Sequence, residues 1–86
     1  MIQSVILTVK TERSKQEYDM ILPANVKVSE LTGKLLETLK SMEPEYFLAA
    51  GGIGLRCDGN GRYLSGEETL ESAHIWDGSI ITVVKR

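Results

Sequence analysis

Near the start of the chain, apolar residues alternate with polar ones. Val5, Leu7 and Val9 fall on one side of an extended backbone, with Ile6, Thr8 and Lys10 on the other. That two-residue period marks a strand with one buried face. The polar stretch Thr11-Glu12-Arg13-Ser14-Lys15 reads as a turn. A second alternating run then sets Tyr18, Met20 and Leu22 against Glu17, Asp19 and Ile21. Pro23 ends that run, because proline has no N–H to give to a ladder. Two alternating strands across a short polar link predict an N-terminal hairpin.

The period then changes. Leu31, Leu35, Leu39 and Met42 recur at spacings of four, four and three, which makes one apolar stripe along a helix, and Leu36 widens it. Ser29 is placed to cap the helix start, and Glu30 beside it suits the positive end of the helix dipole. Pro44 closes the element. Glu30 with Lys34, and Glu37 with Lys40, are spaced to pair on the solvent side. Gly33 lies off the stripe, at a neutral surface position.

Beyond the Glu43–Ile53 connection, Gly54–Cys57 reads as a short strand. Asp58-Gly59-Asn60-Gly61 has the composition of a turn that needs positive φ, and Arg62–Leu64 follows as its return strand. Ser65–Glu68 is a further turn. Thr69–Ile75 is too short for a self-supporting helix, and Asp77-Gly78 is another turn. Ile80–Lys85 is the last strand, with Ile81 and Val83 on one face and Ile80, Thr82 and Val84 on the other.

A hairpin followed by one helix can bury that helix only against a sheet. The expected architecture is α+β: a mixed five-stranded sheet with one helix packed across one face, the first and last strands parallel at its centre. A length of 86 residues fits one such domain, taken as residues 1–86. Ten basic residues against 12 acidic give a net charge of −2, which argues against a nucleic-acid partner. The single cysteine, Cys57, excludes an internal disulfide, a four-cysteine zinc site and an iron–sulfur cluster, and suits a reducing compartment. No apolar run reaches membrane-spanning length, and the first ten residues lack the basic region and cleavage site of a secretory signal. A cytoplasmic location follows as the expectation.

Motifs for chemistry are sparse. Cys57 and His74, the only histidine, could in principle serve as nucleophile and base. Alternation instead makes Cys57 a strand residue beside Leu55, and His74 a surface neighbour of a buried Ile75. In Asp58-Gly59-Asn60-Gly61-Arg62, arginine takes the third ligand position of a calcium loop, and Gly52-Ile53-Gly54 lacks the third glycine of a dinucleotide site. No catalytic residue, metal or cofactor is expected.

Thr69-Leu70, Ile75, Asp77-Gly78-Ser79, and the alternating Ile81 and Val83 resemble the end of ubiquitin-like β-grasp domains. Val28, Leu31 and Leu35 fit the start of their helix. Leu55-Arg56, the turn from Asp58 to Arg62, and Leu64-Ser65-Gly66-Glu67 running into Leu70, Ile75 and Gly78 are similar to the second half of the YukD/EsaB proteins of type VII (ESX-like) secretion systems. The likeness covers essentially the whole chain. It implies a non-conjugated ubiquitin-like protein that binds the secretion machinery, its membrane complex or ATPase. Such a protein is recruited to the inner face of the membrane by its partner and does not insert. Ubiquitin and the sulfur carriers act through a C-terminal Gly-Gly. Here the sequence ends Val83-Val84-Lys85-Arg86 and Gly51-Gly52 is internal, so a modifier or sulfur carrier is the disfavoured alternative. An excised ubiquitin-like domain of a larger membrane secretion component is another.

The outward sheet face is the candidate binding surface, with Ile6, Ile21, Ile80, Thr82 and Val84 expected to be exposed there. Arg56 stands where the resemblance places a key isoleucine of ubiquitin, which implies that ubiquitin receptors do not recognise this chain. Trp76, beside the Asp77-Gly78 turn, is a second candidate.

Overall fold

The computed structural model describes residues 3–12, 17–48 and 51–85. The two alternating runs form strands β1 (Ser4–Thr11) and β2 (Glu17–Pro23), paired antiparallel with Val5 opposite Leu22 and Val9 opposite Tyr18. Most of the expected turn between them, Arg13 to Lys15, lies outside the described residues, as does the chain end at Arg86. β3 (Ile53–Cys57) and β4 (Ile80–Lys85) pair antiparallel, and β4 runs parallel to β1. The sheet order is β2-β1-β4-β3, so the first and last strands do lie parallel at its centre.

Among the described residues the sheet has four strands, not five. Arg62–Leu64 runs beside β3 without becoming a strand. It makes a single bridge between Tyr63 and Arg56, with the Cys57 N–H donating to the Arg62 carbonyl and the Leu64 N–H to the Leu55 carbonyl, each at 2.9 Å. The chain leaves at once because Glu68 pulls it into the next turn. The Glu68 carboxylate accepts two bonds from the Arg62 guanidinium, at 2.9 and 3.2 Å, and one from the Ser65 N–H at 2.6 Å.

Helix α1 (Val28–Met42) buries Val28, Leu31, Leu35 and Leu39 in one core with Val5, Leu7 and Val9 of β1 and Ile81 and Val83 of β4. Leu36 packs against that core as expected, whereas Met42 is 41% exposed because the helix ends under it. Ser29 does not cap the helix. Lys27 holds the cap position without a side-chain bond, and the first free amides are met from elsewhere in the chain. Val28 N–H donates to the Glu68 carbonyl at 2.7 Å and Ser29 N–H to the Gly66 carbonyl at 3.1 Å. A Cβ on Gly66 would touch the Ser29 Cβ at 3.4 Å, so this turn lies directly against the helix. Neither Glu30–Lys34 nor Glu37–Lys40 closes as an ion pair among the described residues. Gly33 is on the surface with open space around it.

Two short features escape the periodicity. Pro44 closes α1 and also opens α2 (Pro44–Phe47), a single turn that delivers the fully buried Phe47 to the core. Lys85 of β4 reaches over the Tyr46 ring, 4.5 Å from its centroid, and ties α2 to the sheet. The second feature is the turn from Thr69 to Ile75. Ile75 N–H donates to the Leu70 carbonyl and His74 N–H to the Glu71 carbonyl, the paired bonds of a left-handed helix stop. His74 takes the left-handed position, at φ 60°, where glycine is the usual residue, and Leu70 and Ile75 on either side are both buried.

Two outcomes are expected. His74→Gly removes the steric cost of the left-handed backbone and raises stability by about 0.5–1 kcal/mol, less than the full cost because glycine adds entropy to the unfolded chain. Thermal melting checks this, with His74→Ala, which cannot relieve the strain, giving no gain. The Arg62 guanidinium and the Ser65 N–H hold the Glu68 carboxyl below the usual carboxylate range. A depressed folded-state pKa stabilises the fold at neutral pH, and that contribution is lost as pH falls through the folded value. Glu68→Gln is therefore less stable than the parent at pH 7 in urea melts, and the difference shrinks as the pH is lowered below 4.5, the unperturbed value.

Candidate functional site

Because β1 and β4 bury their odd-numbered residues, their even-numbered residues point to the opposite face. Ile6 pairs directly with Ile21 across β1 and β2, and the two side chains are 51% and 70% exposed. Ile80 sits beside Thr8 in the parallel ladder, diagonal to Ile6, and is 40% exposed. These three isoleucines make an apolar end to the outer face. The backbone around them is held firmly. Ile6 N–H donates to Asp77 Oδ1 at 2.8 Å, Gly78 N–H donates to the Ile6 carbonyl at 2.9 Å, and Thr8 Oγ1 donates to Asp19 Oδ1 at 3.1 Å.

The other end of the face is polar, and here the expected exposure fails. Thr82 is buried at 4%. It lies between Lys10 of β1 and Arg56 of β3, and its hydroxyl donates to Asp58 Oδ1 at 2.5 Å. Lys10 pairs with Asp58 at 3.6 Å and Arg56 with Glu12 at 3.8 Å. Long charged side chains thus cover the short threonine. Arg56 is half-buried by this arrangement, and so is Val84, opposite Gly54.

Trp76 stands at the apolar end. Its loop is fastened to Ile6 through Asp77 and Gly78 and closed on itself by Trp76 N–H to Ser79 Oγ at 3.1 Å and Ser79 N–H to the Trp76 carbonyl at 3.0 Å. The indole is 49% exposed, and its neighbour is the His74 ring, 5.9 Å away and tilted by 46°. The left-handed turn at His74, which no periodicity signals, brings the two rings together.

The weighed nucleophile pair does share one surface. Cys57 and His74 both line a cleft of about 690 Å³ between the Asp58–Arg62 turn and the loop before β4. Burial pushes the Cys57 thiol up, away from the reactive thiolate, and no hydrogen bond joins it to His74 among the described residues. The groups at the cleft are engaged in structure: Arg62 with Glu68, Asp58 with Lys10 and Thr82, and the Asn60 side-chain oxygen with the Arg62 N–H. No group of three or more histidine, cysteine or acidic residues could hold a metal among the described residues. No described helix is long and apolar enough to cross a membrane.

Solved structures with this architecture include domains from type VII secretion. The ubiquitin-like domain of the Mycobacterium tuberculosis type VII secretion protein ECCD1 aligns over 95% of this chain and 98% of its own, with a TM-score of 0.76 and 23% identity. The EccD5 ubiquitin-like domain from Mycobacterium xenopi aligns over 98% of each chain, with a TM-score of 0.73 and 16% identity. A component of the ESX-5 inner membrane complex aligns over 94% of this chain but 20% of its own length, with a TM-score of 0.77 and 24% identity. At these identities the likeness establishes a ubiquitin-like β-grasp fold. Curated proteins give no match. In sequence, residues 5–83 match the family described as WXG100 protein secretion system (Wss), protein YukD, from the first core residue of β1 to the last of β4. The chain belongs to the YukD family.

Proposed function

We propose that this chain is a non-catalytic ubiquitin-like binding module of a type VII secretion system, and that it docks on a protein component through the apolar end of its outer sheet face. The observation that carries this reading is the cluster of Ile6, Ile21 and Ile80, exposed together on strands whose opposite face packs against the core. Exposed β-branched residues gathered on adjacent strands, with an aromatic ring at the rim, have the makeup of a binding hot spot ringed by polar groups. Trp76 supplies the ring, and the Thr82–Asp58–Lys10 network together with the Arg56–Glu12 pair supplies the polar border. The buried thiol and the engaged polar groups of the Cys57–His74 cleft support binding over catalysis.

The membrane complex of the secretion system is the proposed partner. The support is family membership, together with the same fold forming a fifth of one chain in the ESX-5 inner membrane complex. The module then works in the cytoplasm, at the inner face of the membrane. Arg56, held by Glu12, sets this face apart from that of ubiquitin.

Ile21→Asp and Ile80→Asp each place a charge on an exposed site, so both variants fold with circular dichroism spectra and melting temperatures close to those of the parent. Their affinity for the purified membrane complex of the cognate system falls by more than about tenfold, as for a hot-spot residue. Arg56→Ala, at the polar border, keeps most of the affinity. Unchanged binding by both aspartate variants would place the interface elsewhere.

A further inference from the structure

Charge has a definite layout around the isoleucine cluster. Ile21 of β2 stands opposite Ile6 of β1, and on its β4 side Ile6 meets the Asp77-Gly78 loop. The next row along the strands is Asp19, Thr8 and Ile80. Asp77 and Asp19 therefore occupy opposite corners of the cluster, about 10 Å apart across the sheet, two strand spacings. Both residues are exposed. Asp19 is also at an open edge. Ile6 and Thr8 direct their backbone groups to the β4 side, so Val5, Leu7 and Val9 bond to β2. Alternation then turns the N–H and carbonyl groups of Asp19 and Ile21 away from the sheet.

These two carboxylates are anchored but not neutralised. Asp77 Oδ1 accepts from the Ile6 N–H at 2.8 Å and Asp19 Oδ1 from Thr8 Oγ1 at 3.1 Å, and one bond leaves most of a carboxylate's acceptor capacity open. Lys10 and Arg56, on the same face, are held by Asp58 and Glu12, and no ion pair reaches Asp19 or Asp77 among the described residues. Next to Asp77, the half-exposed Trp76 indole has no cation over its face among the described residues. An exposed indole beside an anchored carboxylate suits a guanidinium, which can lie on the ring and donate to the oxygens. The same charges act against other occupants. A second copy docked face to face about a two-fold axis brings like carboxylates into one interface, and an anionic lipid surface repels both corners.

We propose that the isoleucine cluster docks on a protein surface that is apolar at its centre and basic at its rim, with an arginine seated on Trp76 and Asp77 and a second basic side chain meeting Asp19. This names the chemistry of the partner and rests on the docking surface given under Proposed function. The isoleucines supply the desolvated contact. The two carboxylates set its orientation, speed the encounter and turn away acidic surfaces.

Asp19→Asn and Asp77→Asn each keep a side-chain oxygen to accept from Thr8 or Ile6, so they remove charge without removing the hydrogen bond. With the purified membrane complex of the cognate system, the double asparagine variant is expected to associate about three- to tenfold more slowly at low salt, with a shallower salt dependence than the parent. Trp76→Leu, which keeps an apolar side chain but has no ring face, weakens binding more than Trp76→Phe. The free chain is expected to sediment as a monomer and to leave phosphatidylserine–phosphatidylcholine vesicles unbound. Ile80→Asn separates this proposal from the docking surface beneath it. If Ile80→Asn loses affinity while the double asparagine variant keeps the parent's rate and salt dependence, the basic rim is overturned and the docking surface stands. If Ile80→Asn binds as the parent does, both fall. Faster association of Asp19→Lys, or vesicle binding or dimerisation abolished by Ile80→Asn, would also overturn the basic rim. Should Asp77→Asn not fold, Asp19→Asn and the salt dependence of the parent decide the matter.

Discussion

The first amides of α1 have no acceptors within their own helix, and the Glu68 and Gly66 carbonyls supply them at 2.7 and 3.1 Å. A helix start left open inside a small fold costs about as much as a lost hydrogen bond for each amide. Here the cap comes from a turn nearly forty residues later in the sequence, so it does more than end a helix. Lys27 bridges to Thr69, and Glu71 N–H donates to the Ala24 carbonyl at 3.0 Å, beside the same cap. Together these contacts stitch the end of the hairpin and the start of α1 to the loop before β4. Glu68 is the pivot, since its carbonyl meets the helix while its carboxylate holds Arg62 and Ser65.

With α1 fixed in this way, the inner face of the sheet is committed to the core. The long loop that provides the cap also covers the β3 edge through Arg62–Leu64 and carries Trp76 to the end of β1. What the fold leaves available is the outer face, apolar at Ile6, Ile21 and Ile80 and polar around Thr82, and the backbone edge of β2. The short Ser65-Gly66-Glu67 stretch that suggested kinship with YukD proteins is this capping turn. Its resemblance value and its structural task coincide, because Gly66 is where the chain must lie against Ser29.

Much of this was legible in the sequence because period reports burial. The alternation in β1, β2 and β4 named the right inward residues, the leucine stripe placed α1, and the parallel pairing of first and last strands followed from the need to cover the helix. The departures have a common physical origin. Ser29 has the chemistry of a cap, but a distant carbonyl outcompetes it, and local sequence does not show distant carbonyls. Thr82 alternates outward as expected, yet Lys10, Arg56 and Asp58 close over it, which depends on the lateral register of three strands. The turn α2 is too short to have a period, although a buried Phe47 three residues after a proline is the signal that could have marked it. The open β2 edge, too, becomes visible only when the strand order is known.

The central contrast is between a helix start sealed from a distance and a sheet edge left open, and native-state hydrogen exchange of the free chain reads both at once. The amides of Val28 and Ser29 are expected to exchange only through global unfolding, with the same denaturant dependence as the Leu7 and Val83 amides in the sheet centre. Those of Asp19 and Ile21 are expected to exchange orders of magnitude faster than the neighbouring Met20 and Leu22 amides bonded to β1. Rapid, denaturant-independent exchange at Val28 and Ser29, or protection at Ile21 equal to that at Met20, would contradict this description of the fold.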